Sequence, residues 1–207
     1  MDRAIYYHLG TVSLTTVRPT TLRAQATRLE PLATAHVSAL FEVGSHPSLW
    51  LLQPTPISTV EDMRVYVAKA LDEQQRGESL PFVIIDQASG RVIGSTRYVN
   101  IAPRHRRLEI GCTWIAPAYQ RTRVNTEAKL LLLTHAFETL EAIRVIFKTD
   151  VLNQQSRAAI ARLGAVEEGT FRHHLIADSG RRRDMIYFSI LESEWPAVRA
   201  NLEAKLR

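Results

Sequence analysis

Trp114-Ile115-Ala116-Pro117-Ala118-Tyr119-Gln120-Arg121-Thr122-Arg123-Val124-Asn125-Thr126-Glu127-Ala128-Lys129 is the most informative segment of this sequence, and it reads as a strand end, a tight turn and a helix start. Before it, apolar residues alternate with small or polar ones from Leu108 to Trp114, which predicts a half-buried strand. Cys112 falls in the apolar half of this alternation, so we expect a buried, inert thiol. Pro117 cannot continue the strand.

The helix predicted after this turn has apolar residues every three or four positions from Ala128 to Leu140. Asn125 or Thr126 is the expected N-cap, since either side chain can accept from free backbone amides. A helix start that follows a strand offers several unpaired N–H groups and a partial positive charge, which suits phosphate or another anion. An ordinary strand-turn-helix with solvated arginines is the alternative interpretation.

The whole chain has 207 residues, of which 45% are hydrophobic and 23% charged, as in a globular protein. We expect residues 1–18 to form an irregular extension and residues 19–207 a single domain. No apolar run is long enough to span a bilayer, and Met1 to Thr20 lacks a secretory-signal pattern. A single cysteine excludes an intramolecular disulfide, so we expect a cytoplasmic protein.

The net charge of +5 first suggests a nucleic-acid partner. The basic residues are dispersed, however, and no zinc-finger or RNA-binding motif accompanies the clusters at 104–107 and 181–183. A polyanionic small molecule explains the charge equally well, so nucleic acid is not the expected partner. The seven histidines show no metal-ligand spacing, and we predict no metal. The basic cluster at 181–183 is expected to be a solvated turn.

Further along the chain, the pattern predicts strand, two helices, three strands, helix, strand, helix and two strands between Thr20 and Arg207. Residues 46–56 carry three prolines and are predicted to be a loop. The apolar Trp50 in this loop either folds onto the core or walls a substrate cleft.

This order of elements resembles the GNAT superfamily of N-acetyltransferases, and Gln120-x-x-Arg123-x-Asn125 lies where that family has its pyrophosphate signature, Gln/Arg-x-x-Gly-x-Gly/Ala. Leu108-Glu109-Ile110-Gly111, Asn153-x-x-Ser156 and the final Glu194-Trp195-Pro196 resemble the RimJ/RimL-like branch. The resemblance implies an α/β fold whose mixed sheet has about seven strands, splayed in the middle, and about five flanking helices.

The same resemblance implies acetyl-CoA as cosubstrate. The residues expected to bind it are Trp114, Ile115, Gln120, Arg121, Thr122, Arg123, Val124, Asn125, Thr126, Asn153 and Arg157. Arg123 replaces the central glycine of the signature, and arginine lacks the conformational freedom of glycine. Arg123 therefore either points outward while the backbone keeps its shape, adds a phosphate contact, or impairs cofactor binding.

Two residues are predicted to carry the chemistry. Glu109, in the RimL-like position, can remove a proton from an α-amino group, whose reference pKa is about 8. Alternatively, Glu109 pairs with Arg97 or Arg107 on the sheet surface. The family's proton-donating tyrosine corresponds to Ile160, so Ser156 is the expected donor to the leaving thiolate, or else only part of a helix start.

Trp50, Tyr98 and Glu109 are predicted to contact the acceptor. The expected activity is direct transfer of an acetyl group from acetyl-CoA to a primary amine, either a protein N-terminus or a small amine, within a ternary complex. The alternative is a non-catalytic CoA-binding regulator or scaffold with a degenerate pyrophosphate loop. A homodimer is a further expectation, through an exposed apolar strand or the terminal helix.

Overall fold

The computed structural model describes Leu14 and residues 16–207, which form one eight-stranded sheet flanked by five helices. The strands are β1 (Leu22–Arg23), β2 (Thr27–Pro31), β3 (Leu80–Asp86), β4 (Val92–Ala102), β5 (Arg107–Ile115), β6 (Arg144–Asp150), β7 (Val166–Ile176) and β8 (Arg182–Leu191). The helices are α1 (Val37–Gly44), α2 (Val60–Gln75), α3 (Arg123–Thr134), α4 (Gln154–Leu163) and α5 (Trp195–Ala204). The α/β class and element order predicted from the sequence are confirmed.

The sheet forks between its two central strands. Its order is β1-β2-β3-β4-β5-β6-β8-β7, and only β5 and β6 are parallel neighbours. Their pairing covers Arg107–Glu109 against Arg144–Ile146 and then stops. β6 continues along β8 as far as Asp150, while β5 continues along β4 as far as Ile115. The predicted splay in the middle of the sheet is therefore confirmed.

The sheet separates two apolar cores. One contains Leu108, Ile110 and Leu132 and continues to Trp195 of α5, so it lies beneath α3 and α5. The other contains Leu40 of α1, Met63 and Val67 of α2, and Trp114 of β5. Burial of both faces explains why the middle of the sheet, including almost all of β3, is apolar.

Helices α2 and α3 each begin directly after a residue whose side chain caps the helix N-terminus. Thr59 caps α2 and forms a capping box with Asp62. For α3 the prediction of Asn125 or Thr126 was wrong, because Thr122 is the extended residue that accepts from the amide of Val124. The helix therefore begins three residues earlier than a cap at Asn125 would place it. After Thr134 it ends in a π-helical turn, His135–Thr139.

The predicted extension over residues 1–18 lies largely outside the described residues. Leu14 is nevertheless buried in the core beneath α3, and its amide donates to the carbonyl of Pro103. The last part of that segment is thus attached to the domain. Within the described range, no helix is long and apolar enough to cross a membrane.

Candidate active site

A bulge in β5 shapes the fork. Ser95 pairs with Trp114 and Arg97 with Gly111, so Cys112 and Thr113 together lie opposite the one residue between Ser95 and Arg97. Cys112 has a φ of +48°, in the left-handed region that a residue with a Cβ rarely adopts. The extra residue increases local twist and re-aims the groups that follow it.

Because of the bulge, the side chains of β5 do not alternate between the two faces of the sheet as predicted. Ile110 belongs to the core beneath α3, whereas Trp114 belongs to the core beneath α1 and α2, so the two side chains lie on opposite faces. Cys112 is exposed rather than buried as we expected. A period-two pattern read from the sequence cannot show an inserted residue, and every side chain after the insertion changes face.

The fork leaves backbone groups of β5 available. Beyond Glu109, β5 has no ladder to β6, so the amides and carbonyls that it directs towards β6 lack strand partners. The side chains of Trp114 and Ile115 are both buried, and Trp114 directs its backbone groups to β4, where it pairs with Ser95. Ile115 can therefore meet a cofactor only through its amide, since its carbonyl accepts from Gln120. The Trp114 indole N–H donates to the Tyr66 hydroxyl at 3.2 Å, on the opposite side of the sheet from α3.

Gln120 connects the end of β5 to α4 across the fork. Its Nε2 donates to the Ile115 carbonyl at 2.9 Å, and its Oε1 accepts from Gln155 Nε2 at 3.1 Å. Arg121 follows with a φ of +61° and an exposed side chain. A left-handed arginine is strained by about 1 kcal/mol or more, which makes this turn unusual.

The first turn of α3 provides the predicted anion site. Arg123, Val124, Asn125 and Thr126 form this turn. The amides of the first three have no carbonyl one turn earlier to which they could donate, whereas the amide of Thr126 donates to the carbonyl of the N-cap Thr122. Arg121, Thr122 and Arg123 are exposed, while Val124 and Thr126 are buried. The open end of the helix therefore faces solvent beside the fork, where a diphosphate could bind to it.

Arg123 points away from this corner. Its Nε donates to Glu127 Oε1 at 3.0 Å, and its Nη2 donates to Gln25 Oε1 at 3.0 Å and lies 3.4 Å from the Leu206 carbonyl. The buried Glu127 also accepts from the amide of Ala26 at 2.9 Å. Because Arg123 has helical backbone geometry at the first position of α3, no glycine is required there. This arrangement agrees with the first of the three outcomes expected for Arg123, in which the side chain points outward and the backbone keeps its shape.

Glu109 lies at the apex of the fork and is only 3% exposed. Its Oε2 accepts from Asn100 Nδ2 at 2.8 Å and lies 3.2 Å from Lys148 Nζ. The expected alternative partners, Arg97 and Arg107, do not fill this role, and Arg97 instead pairs with Glu73 at 3.3 Å. A cleft of about 470 Å³ opens over Glu109. Its walls are Glu78, Asn100, Ile101, Ala102, Arg107, Ile146 and Tyr187.

Asn100 and Tyr187 of the cleft, and Lys148 beside Glu109, were missed by the sequence analysis. Tyr187 lies beside Lys148 in the β6–β8 ladder, and its hydroxyl is 2.9 Å from His174 Nε2. Burial raises the pKa of the Tyr187 phenol. The available signal was periodicity, since Ile146 and Lys148 share one face of β6 and Ile146 adjoins Glu109.

Two predicted acceptor contacts lie in the cores. Tyr98 has no exposed surface, and its hydroxyl donates to the Leu132 carbonyl at 2.6 Å, so its assignment to the acceptor site was wrong. Trp50 is 6% exposed, donates to the Gly44 carbonyl at 2.7 Å and packs on Trp114 with ring centroids 5.5 Å apart. The loop around Trp50 therefore folds onto the core, the first of the two interpretations.

The start of α4 faces the other branch of the fork. Asn153 caps this helix by accepting from the amide of Ser156 at 2.9 Å. Ser156 and Arg157 are half-buried in the first turn, and Ile160 is buried. The side-chain oxygen of Asn153 thus has a local capping role, and its backbone amide donates to the Asp150 carbonyl at 2.9 Å.

The cluster at 181–183 is not a solvated turn. Asp150, at the end of β6, accepts from Arg181 Nη2 at 2.7 Å and from Arg183 Nε at 2.9 Å. Burial alone would raise the pKa of Asp150, but these bonds hold it below its usual range. Arg183 also donates to the Leu52 carbonyl at 2.9 Å, and the amide of Asp178 donates to Pro54. The β7–β8 turn and the loop at 46–56 are therefore joined.

No group of three or more potential metal ligands occurs in the part of the chain that the structure describes. The candidate site thus consists of a forked sheet, a helix start beside it, and a cleft over a buried carboxylate. Such a site can hold an extended anionic ligand between β5 and α4 and can take a proton from a molecule in the cleft.

Comparison with known proteins identifies the domain type. The family described as "Acetyltransferase (GNAT) domain" matches residues 27–166. A curated relative, "Putative ribosomal N-acetyltransferase YdaF" of Bacillus subtilis, is 38% identical over 106 residues. That match covers 51% of this chain and 57% of the relative, so the chain spans little more than half of that protein.

Two solved structures extend the likeness to nearly the whole chain. A GCN5-related N-acetyltransferase from Brucella melitensis is 30% identical with a TM-score of 0.89, covering 97% of this chain and 91% of that one. Mycobacterium smegmatis RimJ, solved in complex with CoA-disulfide, is 25% identical with a TM-score of 0.76 and coverage of 91% and 94%.

Proposed function

The chain belongs to the GNAT acetyltransferase domain family, and from this we propose that it transfers an acetyl group from acetyl-CoA to a primary amine. The transfer is direct, within a ternary complex. The observation that carries the proposal is the position of Glu109, which is buried at the apex of a forked sheet and opens into a cleft. A fork gives a thioester and an amine access to one point from opposite faces of the sheet.

The cosubstrate fits this chain at three places. The first-turn amides of α3, from Arg123 to Asn125, and the exposed Arg121 would bind the diphosphate. The unpaired edge of β5 and the amide group of Asn153 would bind the pantetheine arm. Amides near Trp114 and Ile115, re-aimed by the bulge, would stabilise negative charge on the thioester carbonyl oxygen. When bound, acetyl-CoA supplies an activated acetyl group.

Proton transfer is assigned to two side chains. Glu109 accepts the proton that the attacking amine loses, directly or through a water. Asn100 and Lys148 hold its carboxylate in place. Ser156, half-buried in the first turn of α4, returns a proton to sulfur. A thiol pKa of about 8.5 means that the leaving thiolate needs no strong acid.

The acceptor class is an amine on a protein N-terminus or a small molecule. The name of the Bacillus subtilis relative favours a ribosomal protein as the acceptor, and a cleft of about 470 Å³ lies over Glu109. The alternative of a non-catalytic regulator depended mainly on Arg123 impairing cofactor binding. Arg123 is instead bound to Glu127 and Gln25 and does not fill the diphosphate site. The catalytic proposal is therefore the better supported one.

The experiment combines calorimetry with acetyl-CoA and a thiol-release assay over a panel of amines and N-terminal peptides. We expect binding, and thiol release with at least one acceptor. Glu109→Gln should cut turnover about 100-fold or more and leave acetyl-CoA affinity unchanged, because the amide keeps its shape but accepts no proton. Glu192→Gln, on an exposed carboxylate, is the matched control. Binding without release from any amine would favour the regulator instead.

A further inference from the structure

Lys129 of α3 is a buried cation without a carboxylate. Only 7% of the surface of Lys129 is exposed to solvent. The other buried Lys, Arg, Asp and Glu residues in the described range all have an oppositely charged partner: Arg97 with Glu73, Glu109 with Lys148, Glu127 with Arg123, and Asp150 with Arg183. A buried charge without such a partner destabilises the fold, so the presence of a lysine at position 129 requires an explanation.

The ammonium group reaches the bulge of β5. Lys129 Nζ donates to Thr113 Oγ1 at 2.7 Å, and Thr113 Oγ1 lies 2.8 Å from Thr96 Oγ1. Thr96 is the β4 residue opposite the bulge, and Thr113 is one of the two β5 residues that face it. Lys129 thus holds the bulge from the side of α3, just before Trp114.

Fold stability does not explain the choice of lysine. Ala128, Leu132 and Leu133 around it are buried apolar residues, and methionine at 129 would fill the same space without a charge. Burial lowers the pKa of Lys129 to about 7, so the fold tolerates the amine instead of favouring it. Groups that cost stability in this way are concentrated at functional sites.

We propose that Lys129 is a positioning residue for the thioester: through Thr113 it fixes the bulge whose amides bind the acetyl carbonyl. This inference rests on the proposed acetyl transfer. If the bulge relaxes, the amides near Trp114 no longer point at the acetyl carbonyl oxygen. The diphosphate site at the start of α3 keeps its own contacts. The loss should therefore affect binding of the acetyl group and not binding of the nucleotide.

The test compares Lys129→Met with Lys69→Met, which removes an exposed lysine on α2. Calorimetry with CoA and with acetyl-CoA measures the part of the affinity that the acetyl group contributes. For Lys129→Met we expect CoA affinity within about twofold of the parent, loss of any preference for acetyl-CoA, at least about a tenfold fall in kcat, and a higher melting temperature. A merely structural lysine would give a lower melting temperature and an unchanged preference, and that result would overturn the proposal.

Thr113 provides a second route in case Lys129→Met does not fold. Thr113→Val removes the hydroxyl and should reproduce the loss of acetyl preference, whereas Thr113→Ser should retain the preference. In the double variant Lys129→Met/Thr113→Val the two effects should not add, because both act through one bond. Full additivity would refute the route through Thr113.

Different results would refute the role proposed for Lys129 and the acetyl-transfer function on which it rests. If the parent protein binds acetyl-CoA but no amine releases thiol, the acetyl-transfer function fails. If the parent is active and Lys129→Met equals it in kcat and in acetyl preference, only the role of Lys129 fails.

Discussion

Lys129 should make the stability of this fold rise with pH above neutrality. Burial lowers its pKa from 10.5 to about 7, whereas the unfolded chain keeps the higher value. Between those two values the unfolded chain binds the extra proton, so raising the pH favours the folded state. Below about pH 7 both states are protonated and the penalty is complete.

The size of the effect follows from the proton count. At pH 7 the folded amine holds about half a proton and at pH 9 almost none, while the unfolded chain holds about one throughout. A mean difference of about 0.85 proton over the interval, at about 1.4 kcal/mol per proton and pH unit, gives about 2 kcal/mol.

The assay is urea unfolding of the parent protein and Lys129→Met at pH 7 and pH 9. Other titrating groups are common to both, so subtracting the variant isolates Lys129. We expect the parent to gain about 2 kcal/mol more than Lys129→Met between the two pH values, and Lys69→Met to behave like the parent. Equal pH dependence in the parent and Lys129→Met would refute the reasoning.

Three further substitutions test the structure. Asp150→Asn should lower the free energy of unfolding by about 3–5 kcal/mol, since the buried Arg183 loses its counter-charge; a loss under about 1 kcal/mol in urea unfolding would contradict this. Tyr98→Phe should cost about 0.5–1.5 kcal/mol, because one buried hydrogen bond is lost while the Leu132 carbonyl keeps the amide of His135, yet leave the KM of the acceptor unchanged in steady-state assays. Arg121→Gly should raise the melting temperature by relieving a left-handed backbone and weaken CoA binding by calorimetry; a lower melting temperature would argue against the strain.

Local sequence patterns were enough to locate β5 and the strands around it. Sequence patterns predict strands at Arg107–Ile115 and Arg144–Asp150, and β5 and β6 have these bounds in the structure. Their residues are β-branched, aromatic or alternating, and glycine or proline lies near their ends. The fork was expected only from the family resemblance, since pairing between β5 and β6 depends on contacts far apart in sequence.

The errors at the site have specific causes. Periodicity placed Cys112 in a core because an inserted residue leaves no mark on the pattern. Tyr98 was assigned to the acceptor site although its hydroxyl is satisfied by a helix carbonyl, a partner that only the fold brings near. Lys148 received no role at the site because a lysine on a strand is usually solvated. Long-range packing, which no local pattern reports, decided each case.

The joint between the β7–β8 turn and the loop at 46–56 affects how specificity could be transplanted between relatives. Arg183 reaches both Asp150 and the Leu52 carbonyl, so the two segments share one buried arginine. A chimaera that imported only one of them would leave a charge or a carbonyl unmatched. The two segments should therefore be exchanged together when parts of this fold are moved between relatives.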